Sequence, residues 1–185
     1  LMCHERRFAL DWRWNDVWEM NAMSLQSIEV RKLTPTIGAE ISGVDIAAGI
    51  SNSQFDEIHQ AFLDNLVIFF RDQSLSVEAH KALGQRFGPL YVHPYIAPLP
   101  GHPEVIEIVK EPSDRKNFGG DWHADLTYMT EPMMGAVLYA LEVPDHGGDT
   151  MFANMYAAYE SLSPAMQRTL RGLRAIHDDR ATGLY

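Results

Sequence analysis

The stretch "GGDWHADLTY", residues 119–128, carries a histidine and an aspartate two positions apart, His123 and Asp125, just after a pair of glycines. On an extended strand, residues i and i+2 point to one face, ~6.5–7 Å apart along the chain. An imidazole and a carboxylate so placed can converge on one ion at bond lengths near ~2 Å. His-x-Asp then supplies two corners of a facial 2-His-1-carboxylate site, the arrangement that leaves positions open on non-haem Fe(II). Three residues alone are a weak pattern. A polar pair alternating along an edge strand fits it as well, and on these residues both readings stand.

The elements that must position the pair follow from periodicity. "SIEVRKL" (27–33) alternates apolar and polar residues as a half-buried strand does, and "AEISGVDI" reads as a second short extended piece. Ser53 is the expected N-cap of "QFDEIHQAFLDN", where Phe55, Ile58, Phe62 and Leu63 recur at helical spacing. "LVIFF" reads as a buried strand, and Ser76 opens a second helix over "VEAHKALGQRFG" that Gly88 and Pro89 close. "HPEVIEIVKEP" alternates again. "DWHADLTY", "GAVLYALEV" and "GGDTMFAN" all read as strands, and Ser163-Pro164 opens the second of two short helices near the end. Short strands broken by Gly and Pro predict an α+β, mainly β fold: a sandwich or jelly roll with flanking helices, not a parallel α/β sheet. Five or six strands are countable, fewer than the eight of a jelly roll, so the sheet is expected to be incomplete.

Composition narrows the function classes. A chain of 185 residues holds one domain with a real core. The formal charge of −10 and pI near 5.1 argue against binding nucleic acid through phosphates, which needs clustered Lys and Arg. The single cysteine, Cys3, excludes an internal disulfide and a thiolate cluster, and fits a reducing, cytoplasmic setting. No apolar run reaches the ~18 residues that span a bilayer. Residues 1–23, which carry three of the four tryptophans without a clean period, read as a leader ahead of a domain over 24–185.

The flanks of His123 add more. "WHADLTYMTEPMMGAVLYALEVPDHGGDTMFANMYAAYESLSPAMQRTLRGLRAIHD" resembles the central segment of the taurine/2,4-dichlorophenoxyacetate dioxygenases, the TauD/TfdA family. "IGAEISGVDI", "NLVIFFRDQSLS" and "LGQRFGPLYVHP" are similar to its earlier segments in the same order. The resemblance implies a double-stranded β-helix that couples oxidation of a substrate C–H bond to decarboxylation of 2-oxoglutarate to succinate, using Fe(II) and O2. It makes His123 and Asp125 iron ligands, gives Thr150 of "GGDTMF" a carboxylate of 2-oxoglutarate, and sets His93 at the substrate's anionic group.

Departures from the family bear on the substrate. Taurine-using members carry an asparagine where this chain has Gly119, and a tyrosine where it has Ile96, with Tyr95 adjacent. Lost polar contacts shift specificity strongly, so taurine is disfavoured. An alkyl sulfate, another sulfonate, an aryloxyacetate or a similar small acid is expected as substrate beside O2, with a homo-oligomer as the candidate assembly and no nucleic-acid or membrane partner. The distal histidine and the 2-oxoglutarate-binding arginine of the family fall downstream of Tyr185. His177 in "LRAIHD" is not expected to be a ligand, and the chain is expected to be C-terminally truncated and inactive alone. A metal-free jelly-roll binding module and a zinc hydrolase using the same pair are the competing readings.

Overall fold

A computed structural model of the chain describes residues 27–115 and 118–177. The leader assigned to residues 1–23 lies outside them. Strand β1 (Glu29–Lys32) pairs antiparallel with β2 (Ala39–Ser42), Val30 facing Ile41 in register. Helix α1 (Asn52–Asn65) follows, then β3 (Ile68–Phe70), which pairs parallel with β2 in a sheet of order β1-β2-β3. The crossover through α1 makes this one pair parallel, a single βαβ unit beside an antiparallel pair. Ile41 and Ile28 of the sheet layer bury against Ile58 and Ala61 of the helix, with Val44, Ile50, Ile68, Phe70 and Phe87 around them.

Helix α1 starts two residues earlier than the pattern suggested. Ser51, not Ser53, is the N-cap: its hydroxyl accepts from the Gln54 amide, and the Gln54 side chain returns a bond to the Ser51 amide. Two otherwise orphaned N–H groups are satisfied together, which a Ser53 cap lacks the glutamine three residues on to do. Ile58 is fully buried, whereas Leu63, expected on the same face, is half exposed. The helix ends on Leu66 at φ 67°, whose N–H returns to the Phe62 carbonyl at 2.7 Å.

Helix α2 (Val77–Phe87) is capped by Ser76 as expected. Its Phe87 ring meets Phe55 edge-on with centroids 4.9 Å apart, locking the two helices together. A two-stranded sheet, β4 (Pro98–Leu99) with β5 (His102–Ile106), joins α2 through the Lys81–Glu104 ion pair at 2.7 Å. Two short helices, α3 (Met155–Glu160) and α4 (Pro164–Arg171), follow, capped by Asn154 and by Ser163 with Pro164 in the first turn.

The three expected strands between β5 and α3 form no ladder among the described residues. Extended backbone becomes a strand only when a neighbour takes its N–H and C=O groups, and these segments run without one. They are tethered through side chains instead. The Tyr139 hydroxyl accepts from the Leu75 amide at 3.1 Å and donates to the Gln73 carbonyl at 3.2 Å, while His80 Nε2 donates to the Val137 carbonyl at 2.8 Å. Further on, Asn154 donates to the Thr36 carbonyl and Phe152 meets Phe69 edge-on. Leu138, Leu141 and Val143 are largely exposed.

Candidate functional site

His123 and Asp125 stand on irregular backbone that runs into a turn over residues 125–128, rather than on a strand. Leu126 breaks the extension at φ 53°, and the turn closes through Met129 N–H to the Leu126 carbonyl at 3.0 Å. The side chains converge even so. His123 Nε2 lies 3.1 Å from Asp125 Oδ1, both side chains more than half exposed. The strand face invoked for their convergence is replaced by a turn that achieves the same approach.

The other ring nitrogen explains the orientation. His123 Nδ1 is 2.7 Å from the Asp121 carbonyl. A carbonyl only accepts, so Nδ1 carries the proton, and in the neutral ring Nε2 presents its lone pair beside the carboxylate. A backbone carbonyl behind the imidazole is the outer support that metal-binding histidines use. Two cis donors on an octahedral ion at ~2.1 Å each lie ~3.0 Å apart, so the spacing suits a shared metal ion. Among the described residues no group of three or more His, Cys, Asp or Glu comes together, so the described donors number two.

Gly119 fits against this ring. It adopts φ +64°, and a Cβ there would lie 3.1 Å from His123 Cε1 and 3.6 Å from Nε2. Neither this clearance nor the Asp121 carbonyl was identified in the sequence. The glycine pair was the only signal for the first, and nothing in the residue types betrays the second.

His93 is half-buried, its Nδ1 accepting from the Tyr95 and Ile96 amides at 3.2 Å each. An accepting Nδ1 leaves the proton on Nε2, a donor suited to an anion. Tyr91 and Tyr95 both meet this ring edge-on, with centroids at 6.5 and 6.1 Å. Thr150 is exposed, beyond Gly147 and Gly148 at φ 78° and 72°, and no hydrogen bond joins it or His93 to the His123–Asp125 pair among the described residues. His177, not expected as a ligand, has its Nδ1 2.9 Å from Thr127 Oγ1. His59 stacks on Phe55, and His102 lies 3.9 Å from Glu78.

A small mixed sheet backed by helices, with an exposed imidazole–carboxylate pair on a turn outside that sheet, defines an α+β chain that presents two metal-suited donors side by side. The chain belongs to the taurine catabolism dioxygenase TauD, TfdA family, whose sequence profile matches residues 29–183. It is 33% identical over 155 residues to an alkylsulfatase of Acinetobacter baylyi, covering 83% of this chain and 48% of that protein. It is equally 33% identical to an (S)-phenoxypropionate/α-ketoglutarate dioxygenase of Sphingobium herbicidovorans, covering 82% of this chain and 53% of the other. The crystal structure of a taurine dioxygenase from Burkholderia xenovorans superposes with a TM-score of 0.73 at 36% identity, over 82% of this chain and 54% of that one. The chain spans about half the length of the relatives it matches.

Proposed function

We propose that the protein is an Fe(II)- and 2-oxoglutarate-dependent dioxygenase that hydroxylates a small organic acid. Family membership combined with the 3.1 Å approach of His123 Nε2 to Asp125 Oδ1 carries the reading. Residues 24–185 then form part of one oxygenase domain, a double-stranded β-helix with flanking helices, in a cytoplasmic protein. No described helix is long and apolar enough to cross a membrane.

His123 and Asp125 would hold the iron. Bound there with 2-oxoglutarate, Fe(II) supplies the O2 chemistry that yields succinate, CO2 and a hydroxylated substrate. The chain's own residues orient and select. The Asp121 carbonyl keeps the Nε2 lone pair of His123 free for the metal, and the exposure of both ligands leaves room for two small molecules beside them. The Thr150 hydroxyl would donate to a carboxylate of 2-oxoglutarate. His93, its proton held on Nε2, would donate to the anionic group of the substrate with Tyr95 alongside.

For the substrate, the family alone is permissive: similar chains are named for an alkyl sulfate activity, an aryloxy acid and taurine. Gly119 and Ile96, which replace polar residues of taurine-using members, favour a sulfate ester, another sulfonate or an aryloxy acid over taurine. The test is succinate release from 2-oxoglutarate by the whole protein as its gene encodes it, with Fe(II), O2 and a panel of such acids. Succinate formation lost in His123→Ala is the expected result. No succinate with any acid, or release indifferent to that substitution, overturns the reading.

A further inference from the structure

We infer that His177 is a positioning residue for the metal pair, holding through Thr127 the turn that aims Asp125. The inference rests on the reading of His123 and Asp125 as ligands. Three described residues other than glycine have positive φ: Leu66, Asp72 and Leu126. Leu66 terminates α1, where a left-handed residue satisfies the helix end, and aspartate tolerates that region. Leu126 has neither excuse. A branched apolar residue in this conformation persists only where its surroundings over-determine it, and here it directly follows the proposed ligand.

What surrounds it is specific. Leu126 to Met129 are half-buried, within a stretch whose flanks are exposed. The Tyr128 hydroxyl is shielded from solvent with no hydrogen-bond partner among the described residues, so the ring is turned inward at the expense of its polar end. Thr127, between Leu126 and Tyr128, is met by His177 from 50 residues further along, Nδ1 to Oγ1 at 2.9 Å. His177 follows α4 and is exposed, and among the described residues its contact with the fold is this one. On the other side of the pair, the bond from His123 to the Asp121 carbonyl fixes the first ligand. One ligand is thus held from within its own segment and the other from a distant one.

The test is Mn(II) affinity of the full chain, read from the free-ion EPR signal. Loss of a direct outer-shell partner weakens metal binding ~10–100-fold; His177 acts one step further out, so about threefold to tenfold is expected for His177→Ala. Thr127→Val, which keeps the side-chain shape, is expected to match it, and the double variant to be no weaker than either single. His177→Asn, whose amide reaches where Nδ1 does, is expected to return within about twofold of the parent while His177→Gln does not. Parent-like affinity in both His177→Ala and Thr127→Val, or a double variant equal to the product of the singles, overturns the inference. If Asp125→Ala binds Mn(II) as the parent does, the metal reading itself has failed and takes this one with it.

Discussion

A side chain at Gly119 would press on the imidazole of His123: its Cβ would stand 3.1 Å from Cε1, on the edge that carries the Nε2 lone pair. The glycine therefore has two reasons to be there, its left-handed φ of +64° and this clearance. Gly119→Ala is expected to cost about 1–2 kcal/mol of stability from the left-handed backbone alone. It should also weaken Mn(II) binding, and denaturant unfolding beside EPR titration separates the two effects. Unchanged metal affinity would mean that the ring yields freely.

The pair itself gives the plainest expectation. Each of His123→Ala and Asp125→Ala should reduce Mn(II) affinity by at least the ~10–100-fold known for outer-shell losses. Neither should move the unfolding midpoint much, because both side chains are more than half exposed.

Acid should loosen the edge of the sheet. The Glu57 carboxylate accepts from the Ser27 amide at 3.0 and 3.1 Å, from the Ser27 hydroxyl and from the Ile28 amide, and these bonds hold its pKa below the usual carboxylate range. Glu40 is lowered likewise by Arg31 and Arg71. A carboxylate lowered in the folded state stabilises above its unfolded value, about 4.3, and that contribution disappears as pH falls through the folded value. Glu57→Gln should flatten the decline in urea midpoint between pH 5 and pH 3, roughly the window set by the unfolded value.

Ser51 and Ser53 offer a sharp contrast. Ser51→Ala removes the cap of α1 and half of a reciprocal pair, at a cost of about 1 kcal/mol. Ser53→Ala, within the first turn, should leave thermal unfolding within about 0.5 kcal/mol of the parent.

These two serines also mark what could be read without coordinates. Period and capping chemistry located both long helices, β1, β2 and the Ser163-Pro164 start, because each depends on neighbours in sequence. The cap falls two residues before the Ser53 that periodicity favours, because Gln54, three positions after Ser51, closes a reciprocal pair that Ser53 has no partner for. Strand character at 121–128, 135–143 and 147–154 was overestimated, because alternation records a tendency and a ladder requires a partner. Spacing pointed to His123 and Asp125 as a candidate pair, but their approach comes from a turn at 125–128 and not from the strand face that spacing implied. The Asp121 carbonyl, the clearance at Gly119 and the reach of His177 to Thr127 were not legible, since each arises from backbone direction or from contacts 50 residues apart.

The Tyr139 phenol has a consequence for dynamics. The Leu75 amide ends on a hydroxyl 64 residues away in sequence, not on a carbonyl of its own neighbourhood. Its proton is thus exposed to deuterium whenever the segment around Tyr139 lifts away, even while both long helices stay intact. One backbone amide becomes a clock for that lifting: its exchange, set against that of Ile58 in the buried face of α1, times the fraying of the site-bearing half apart from the unfolding of the core.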